Sequence, residues 1–81
     1  MRLNVRAFAR VREIMGAAET AVDAAGDACV RDVWALLLQR HSELEAFDSS
    51  IRFARNGSVV PRETRLADGD EVALLPPVSG G

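Results

Sequence analysis

From its first residues the chain alternates. Leu3, Val5 and Ala7 fall on one side of an extended segment, and Arg2, Asn4, Arg6 and Phe8 fall on the other. A period of two predicts a strand over Arg2–Phe8 with one buried face. The period then changes: Val11, Ile14 and Met15 recur at helical spacing among Arg10, Arg12 and Glu13, and Gly16 interrupts them. A short helical turn over Ala9–Met15 follows. Glu19–Ala25 predicts a second strand with Thr20 and Val22 inward, and Gly26-Asp27 ends it. Beyond this break Val30, Val33, Trp34, Leu37 and Leu38 form the stripe of an amphipathic helix that packs on a sheet. The helix is expected from about Cys29 to His41, with Asp32 in the first turn suiting the helix dipole.

The second half reads as hairpin and closing strand. A loosely helical connector, Ser42–Asp48, leads to Ile51-Arg52-Phe53-Ala54-Arg55, then Asn56-Gly57, then Val59-Val60. Asn-Gly between two such runs predicts a tight hairpin, because both residues tolerate positive φ. Pro61 ends its second arm and marks that arm as an edge. Asp68-Gly69-Asp70 then turns the chain into a last strand, Glu71–Leu75. The order is ββαββ, without repeats. One helix against one mixed sheet predicts an α+β fold of the β-grasp type, with the first and last strands parallel and central.

Composition narrows the function. Eighty-one residues, 48% of them hydrophobic and 27% charged, describe one small domain with no room for a deep cleft. The basic residues are all arginine, and the net charge of −2 disfavours a general nucleic-acid binder, which needs surplus cations to displace counterions. The longest apolar run, Val33 to Leu38, is far short of the roughly 20 residues that span a bilayer, so no membrane segment is expected. With a single cysteine and no targeting segment, a cytoplasmic protein is expected.

Cys29 and His41 are the one thiol and the one imidazole. On a common helix they are about 18 Å apart and turned by about 120°, which rules out a nucleophilic pair in contact. They read better as a buried helix-start thiol and a helix-end imidazole. The acidic run Asp68-Gly69-Asp70-Glu71 lacks the alternating oxygen donors of a calcium loop and reads as a solvated turn, so no metal is expected there. Alternation says more. Phe8 and Leu75 point away from the helix on strands expected to be neighbours, and Phe53 joins them if its strand presents that side. Such a cluster is a candidate partner surface.

The C-terminal segment carries the reactive group. Pro76-Pro77 cannot continue a central strand, and Val78-Ser79-Gly80-Gly81 has no element to join. A domain over 1–77 and a flexible tail over 78–81 follow. The four tail residues can reach roughly 13 Å from the domain. Two glycines leave no Cβ beside the last carbonyl, so the tail suits a narrow channel. A terminal carboxylate, with a pKa of about 3.3–3.7, is ionised and a poor electrophile at neutral pH. To react it must be activated by an enzyme supplied from elsewhere, most simply as an acyl-adenylate made from ATP. A sulfur donor then displaces AMP to leave a thiocarboxylate.

These residues resemble the molybdopterin synthase small subunits, a family of ubiquitin-like sulfur carriers. The resemblance spans Phe8-Ala9-Arg10-Val11-Arg12-Glu13 with Gly16, the helix around Trp34-Ala35-Leu36-Leu37, Asn56-Gly57, and the block from Leu66 through Asp68-Gly69-Asp70-Glu71 to Pro76-Pro77-Val78-Ser79-Gly80-Gly81. It implies that Gly81 is adenylated by an E1-like enzyme and converted to thiocarboxylate with the help of a sulfur-donating enzyme. It also implies that Gly81 enters the large synthase subunit, where two transfers to cyclic pyranopterin monophosphate build a dithiolene. Val78, Ser79 and Gly80 would thread the partner's channel, and Phe8, Phe53, Leu75, Pro76 and Pro77 would line the contact. The family implies a heterotetramer with catalysis on the large subunit and no permanently bound cofactor, ATP being used by the activating enzyme. Related readings are a carrier for thiamine or cysteine biosynthesis, a ubiquitin-like protein modifier, and a noncovalent adaptor.

Overall fold

The computed structural model describes residues 1–77. The opening alternation forms β1 (Arg2–Ala7), in which Leu3, Val5 and Ala7 are buried. Phe8 leaves the strand and instead caps α1 (Ala9–Met15), which Gly16 ends in the left-handed conformation at φ 75°. Its amide donates to Arg12 O, a stop that a glycine makes without a Cβ penalty. The second strand, β2 (Glu19–Asp23), is two residues shorter than its alternation predicts. Helix α2 (Val30–Arg40) buries Val30, Val33, Trp34 and Leu37. A 3-10 turn over Ser42–Phe47 realises the connector. The hairpin consists of β3 (Arg52–Arg55) and β4 (Ser58–Val60), and β5 (Glu71–Leu75) closes the fold.

The five strands lie in the order β2-β1-β5-β3-β4. The second hairpin arm is the edge strand that Pro61 marks, so the sheet has five strands where the ββαββ order counts four. β1 and β5 are central and parallel, with Asn4 opposite Glu71 and Ala7 opposite Leu74. α2 covers one face, and the core beneath it contains Leu3, Val5, Val33, Trp34, Leu37, Phe53, Val72 and Leu74. This is the β-grasp arrangement that the alternation and the helical stripe imply. Trp34 meets Phe53 edge to face, with ring centroids 5.5 Å apart. The Trp34 indole N–H donates to Asp48 Oδ1 at 2.7 Å. Arg62 Nη1 donates to the same oxygen at 3.0 Å, and its guanidinium stacks 5.2 Å from the Phe53 centroid. The connector and the loop after β4 are thereby pinned over the aromatic core. The indole bond, followed by that of Arg62, holds the Asp48 carboxyl below its usual pKa.

Asp70 does not lie in a solvated turn as expected: it is only 7% exposed. Three donors explain its burial. The Ala67 amide and Arg55 Nε each donate to Oδ2 at 2.8 Å, and Asn56 Nδ2 donates to Oδ1 at 2.9 Å. Asn56 and Gly57 sit at φ 47° and 89°, the pair of positive values that a tight hairpin turn requires. Asn56 also accepts from the Glu71 amide at 2.9 Å, so one side chain ties the hairpin tip to the start of β5. The bond from the Ala67 amide, then that from Asn56, lowers the Asp70 pKa, with Arg55 adding to the effect.

Because the folded-state pKa is depressed, this group contributes stability above its unfolded pKa of about 3.9 and loses it as pH falls through the folded value. Asp70→Ala leaves three donors unsatisfied and is expected to cost about 1–3 kcal/mol at pH 7. Urea denaturation at pH 7 and at pH 3 should show the difference between wild type and variant shrinking at the lower pH.

Candidate functional site: the open sheet face and the tail exit

The face of the sheet turned away from α2 is built by register. One row crosses it as Glu19, Arg6, Ala73, Ala54 and Val59, each opposite the next on the adjoining strand. In the following row Leu75 lies opposite Arg52, and Phe8 is one step beyond the Ala7 and Leu74 pair. Phe8 and Val59 are the exposed large hydrophobic residues of the described chain, at 37% and 62%. Between them lie half-buried Leu75 and the low floor of Ala54 and Ala73. The Arg6 guanidinium lies 5.3 Å from the Phe8 ring centroid and 3.7 Å from Glu71. The result is a shallow apolar strip beside the arginines Arg6 and Arg52.

Phe8 and Leu75 therefore lie on the face to which alternation assigned them, but Phe53 does not. It is 2% exposed and packs on Trp34 in the core, so its place in the candidate contact is corrected. The strand's own pattern carried the signal: Ile51 and Phe53 share a parity, opposite to that of Arg52, and both are buried. Val59 joins the face instead. Its two-residue apolar run had no visible parity until its pairing with Ala54 set one.

The parallel pairing of β1 and β5 brings α1 beside the end of the last strand. Ala9, Arg10, Glu13, Phe47, Pro76 and Pro77 line one groove. Ala9 enters it at φ 50°, a left-handed conformation rare for a residue with a Cβ. Arg10 Nη1 donates to Glu13 Oε2 at 2.9 Å, and both side chains are exposed. Pro76 is half-buried and Pro77 exposed. Val78, Ser79, Gly80 and Gly81, the expected threading and reacting residues, lie outside the described residues.

Residues 5–81 match the ThiS family. The chain belongs to the ThiS family. It is 35% identical over 83 residues to the molybdopterin synthase sulfur carrier subunit of Chlamydomonas reinhardtii, with all of both chains covered. Among solved structures it is similar to SAMP1 from Haloferax volcanii, with a TM-score of 0.88, 36% identity and full coverage of both chains. It is also similar to a chain in the protein–protein complex of subunits 1 and 2 of the molybdopterin-converting factor from Helicobacter pylori, with a TM-score of 0.72, 30% identity and full coverage of both chains.

The described part of this ThiS-family chain brings no catalytic constellation together. Cys29 and His41 cap opposite ends of α2, as their spacing predicts, although Cys29 is half-buried rather than buried. The Cys29 amide donates to Asp32 Oδ2 at 2.9 Å, and this bond holds the Asp32 carboxyl below its usual pKa. Among the described residues no group of three or more His, Cys, Asp or Glu side chains converges. No helix among them is long and apolar enough to cross a membrane.

The two phenylalanines separate by consequence. Phe53→Ala opens the core beside Trp34 and is expected to cost about 3–5 kcal/mol. Phe8→Ala, at a site already 37% exposed, is expected to cost under about 1 kcal/mol. Chemical denaturation of the two variants checks the contrast.

Proposed function

We propose that this protein is the sulfur-carrier subunit of a molybdopterin synthase, and that Gly81 is the atom-bearing end of the carrier. The carboxyl of Gly81 is adenylated by an E1-like enzyme, and a sulfur-donating enzyme converts it to thiocarboxylate. The tail then enters the large subunit and passes its sulfur to cyclic pyranopterin monophosphate. One observation carries the reading. The apolar strip of Phe8 and Leu75 and the diproline exit lie at the same end of the two central strands, directly before a segment that finishes in Gly80-Gly81. Docking on the strip and threading of the tail are therefore one event.

Family membership and the relatives' names support the pathway, and the chain's own chemistry supports the division of labour. The face offers apolar surface, the guanidinium groups of Arg6 and Arg52 and the carboxylate of Glu19, and among the described residues no group of three or more His, Cys, Asp or Glu side chains converges. Activation and transfer are thus work for the partners, with ATP consumed by the activating enzyme in the cytoplasm. Val78, Ser79 and Gly80 serve as the thread, Pro76 and Pro77 as its stiff root, and Val59 extends the contact that Phe8 and Leu75 begin.

Incubated with the activating enzyme, ATP and a sulfur source, the protein is expected to gain one oxygen-to-sulfur exchange at Gly81 by intact mass. An unchanged mass under conditions that convert a known carrier overturns the reading. Deleting Gly81 should abolish transfer while leaving the denaturation midpoint in place. Leu75→Glu and Phe8→Ala should each weaken binding to the large subunit by about tenfold or more. The likeness to SAMP1 from Haloferax volcanii, a small archaeal modifier protein, supports a second reading, attachment of Gly81 to target lysines; conjugates that vanish when Gly81 is deleted would favour it.

A further inference from the structure

The residue beside the tail exit is an arginine, and so is every other basic residue: the chain carries ten arginines and no lysine. Arg10 lines the same groove as Pro76 and Pro77, where its exposed guanidinium pairs with Glu13. The four residues after Pro77 can span up to about 13 Å, so an amine at position 10 would lie within reach of Gly81. We propose that Arg10 is a non-nucleophilic cation at the tail exit, and that arginine rather than lysine there keeps the activated Gly81 carboxyl from being captured by its own chain. This rests on the adenylation of Gly81 set out above.

The chemistry of the capture is simple. A neutral amine attacks the acyl carbon of the adenylate, an N–C bond forms, the C–O bond to phosphate breaks, and AMP leaves with the electron pair. The amine's surplus proton goes to water. Lysine, with a pKa of about 10.4, is about 1% neutral at pH 8.5, and a tether of four residues gives it a local concentration in the millimolar range. Arginine keeps its positive charge throughout this range and offers no free nucleophile. The α-amine of Met1 poses no comparable hazard. It donates to Ala24 O at 2.6 Å, beside the start of β1. From Arg2 to Ala7 is the length of the strand, and Pro77 lies three residues past Leu74, the partner of Ala7. At about 3.3 Å per residue the start of β1 is some 25 Å from Pro77, beyond the tail's span.

The test uses Arg10→Lys, with Arg2→Lys as the control at the far end of β1. Both substitutions keep the charge, and the first keeps a cation for Glu13. Each protein is incubated with the activating enzyme and ATP, without a sulfur donor, while pyrophosphate release and intact mass are followed. Arg10→Lys is expected to accumulate a species lighter by one water, with residue 10 joined to Gly81 in the tandem spectrum. Its yield should exceed that of Arg2→Lys by about tenfold or more, and its rate should rise about tenfold per pH unit below the amine's pKa. Wild type should show none. Pyrophosphate release from Arg10→Lys without the lighter species overturns the proposal, as does equal cyclisation of Arg2→Lys. Pyrophosphate release from wild type but not from Arg10→Lys assigns Arg10 to contact with the activating enzyme and overturns it as well. No pyrophosphate from any of the three, wild type included, is the failure of the adenylation reading itself, and this proposal falls with it.

Discussion

The parallel pairing of the first and last strands is the constraint on which the other features depend. A parallel pair needs a long crossover between its members, and here everything from α1 to the turn at Gly69 serves as that crossover. Because the two strands run the same way, their ends emerge together. Phe8, α1 and the diproline share one edge of the domain as a result. An antiparallel pairing would place the tail's root beside Met1, a strand length from the apolar strip.

The two faces of the sheet then take different duties. The face under α2 carries the large side chains, with Val5, Val72 and Leu74 fully buried against the helix stripe. The other face is thinned to two alanines at its centre, so a partner can approach the backbone there without displacing bulky groups. Asp70 and Asn56 do comparable work at the far end, tying hairpin tip, turn and strand start through one carboxylate and one side-chain amide. These bonds brace the end of the sheet opposite the apolar strip.

Much of this was legible in the residues. The alternation of β1, the stripe of α2 and the Asn56-Gly57 turn each state their own geometry, since period and φ tolerance are local properties. What local pattern could not supply was the register between strands. Val59 acquired its face only from its pairing with Ala54, and Asp70 became buried only because Arg55 and Asn56 arrive from a segment far along the chain. Phe53 is different: its side of the strand was left conditional, although its parity with Ile51 and against Arg52 already assigns it to the covered face. Of the candidate site, the two prolines and two glycines are plain in the residues as chemistry, while Arg10 and Phe47 come beside Pro76 and Pro77 through tertiary packing alone.

The central pair also governs how the molecule comes into being. Asn4 meets Glu71, which lies 67 positions further along the chain. Closing so long a loop is an entropic cost met before most of the sheet can form, and domains dominated by such non-local contacts fold more slowly than those built from neighbours. Without β5 the sheet falls into two separate hairpins, each marginal alone. Folding is therefore cooperative through β5: a chain that cannot form that strand loses the link between its two halves, and neither half keeps a sheet of its own.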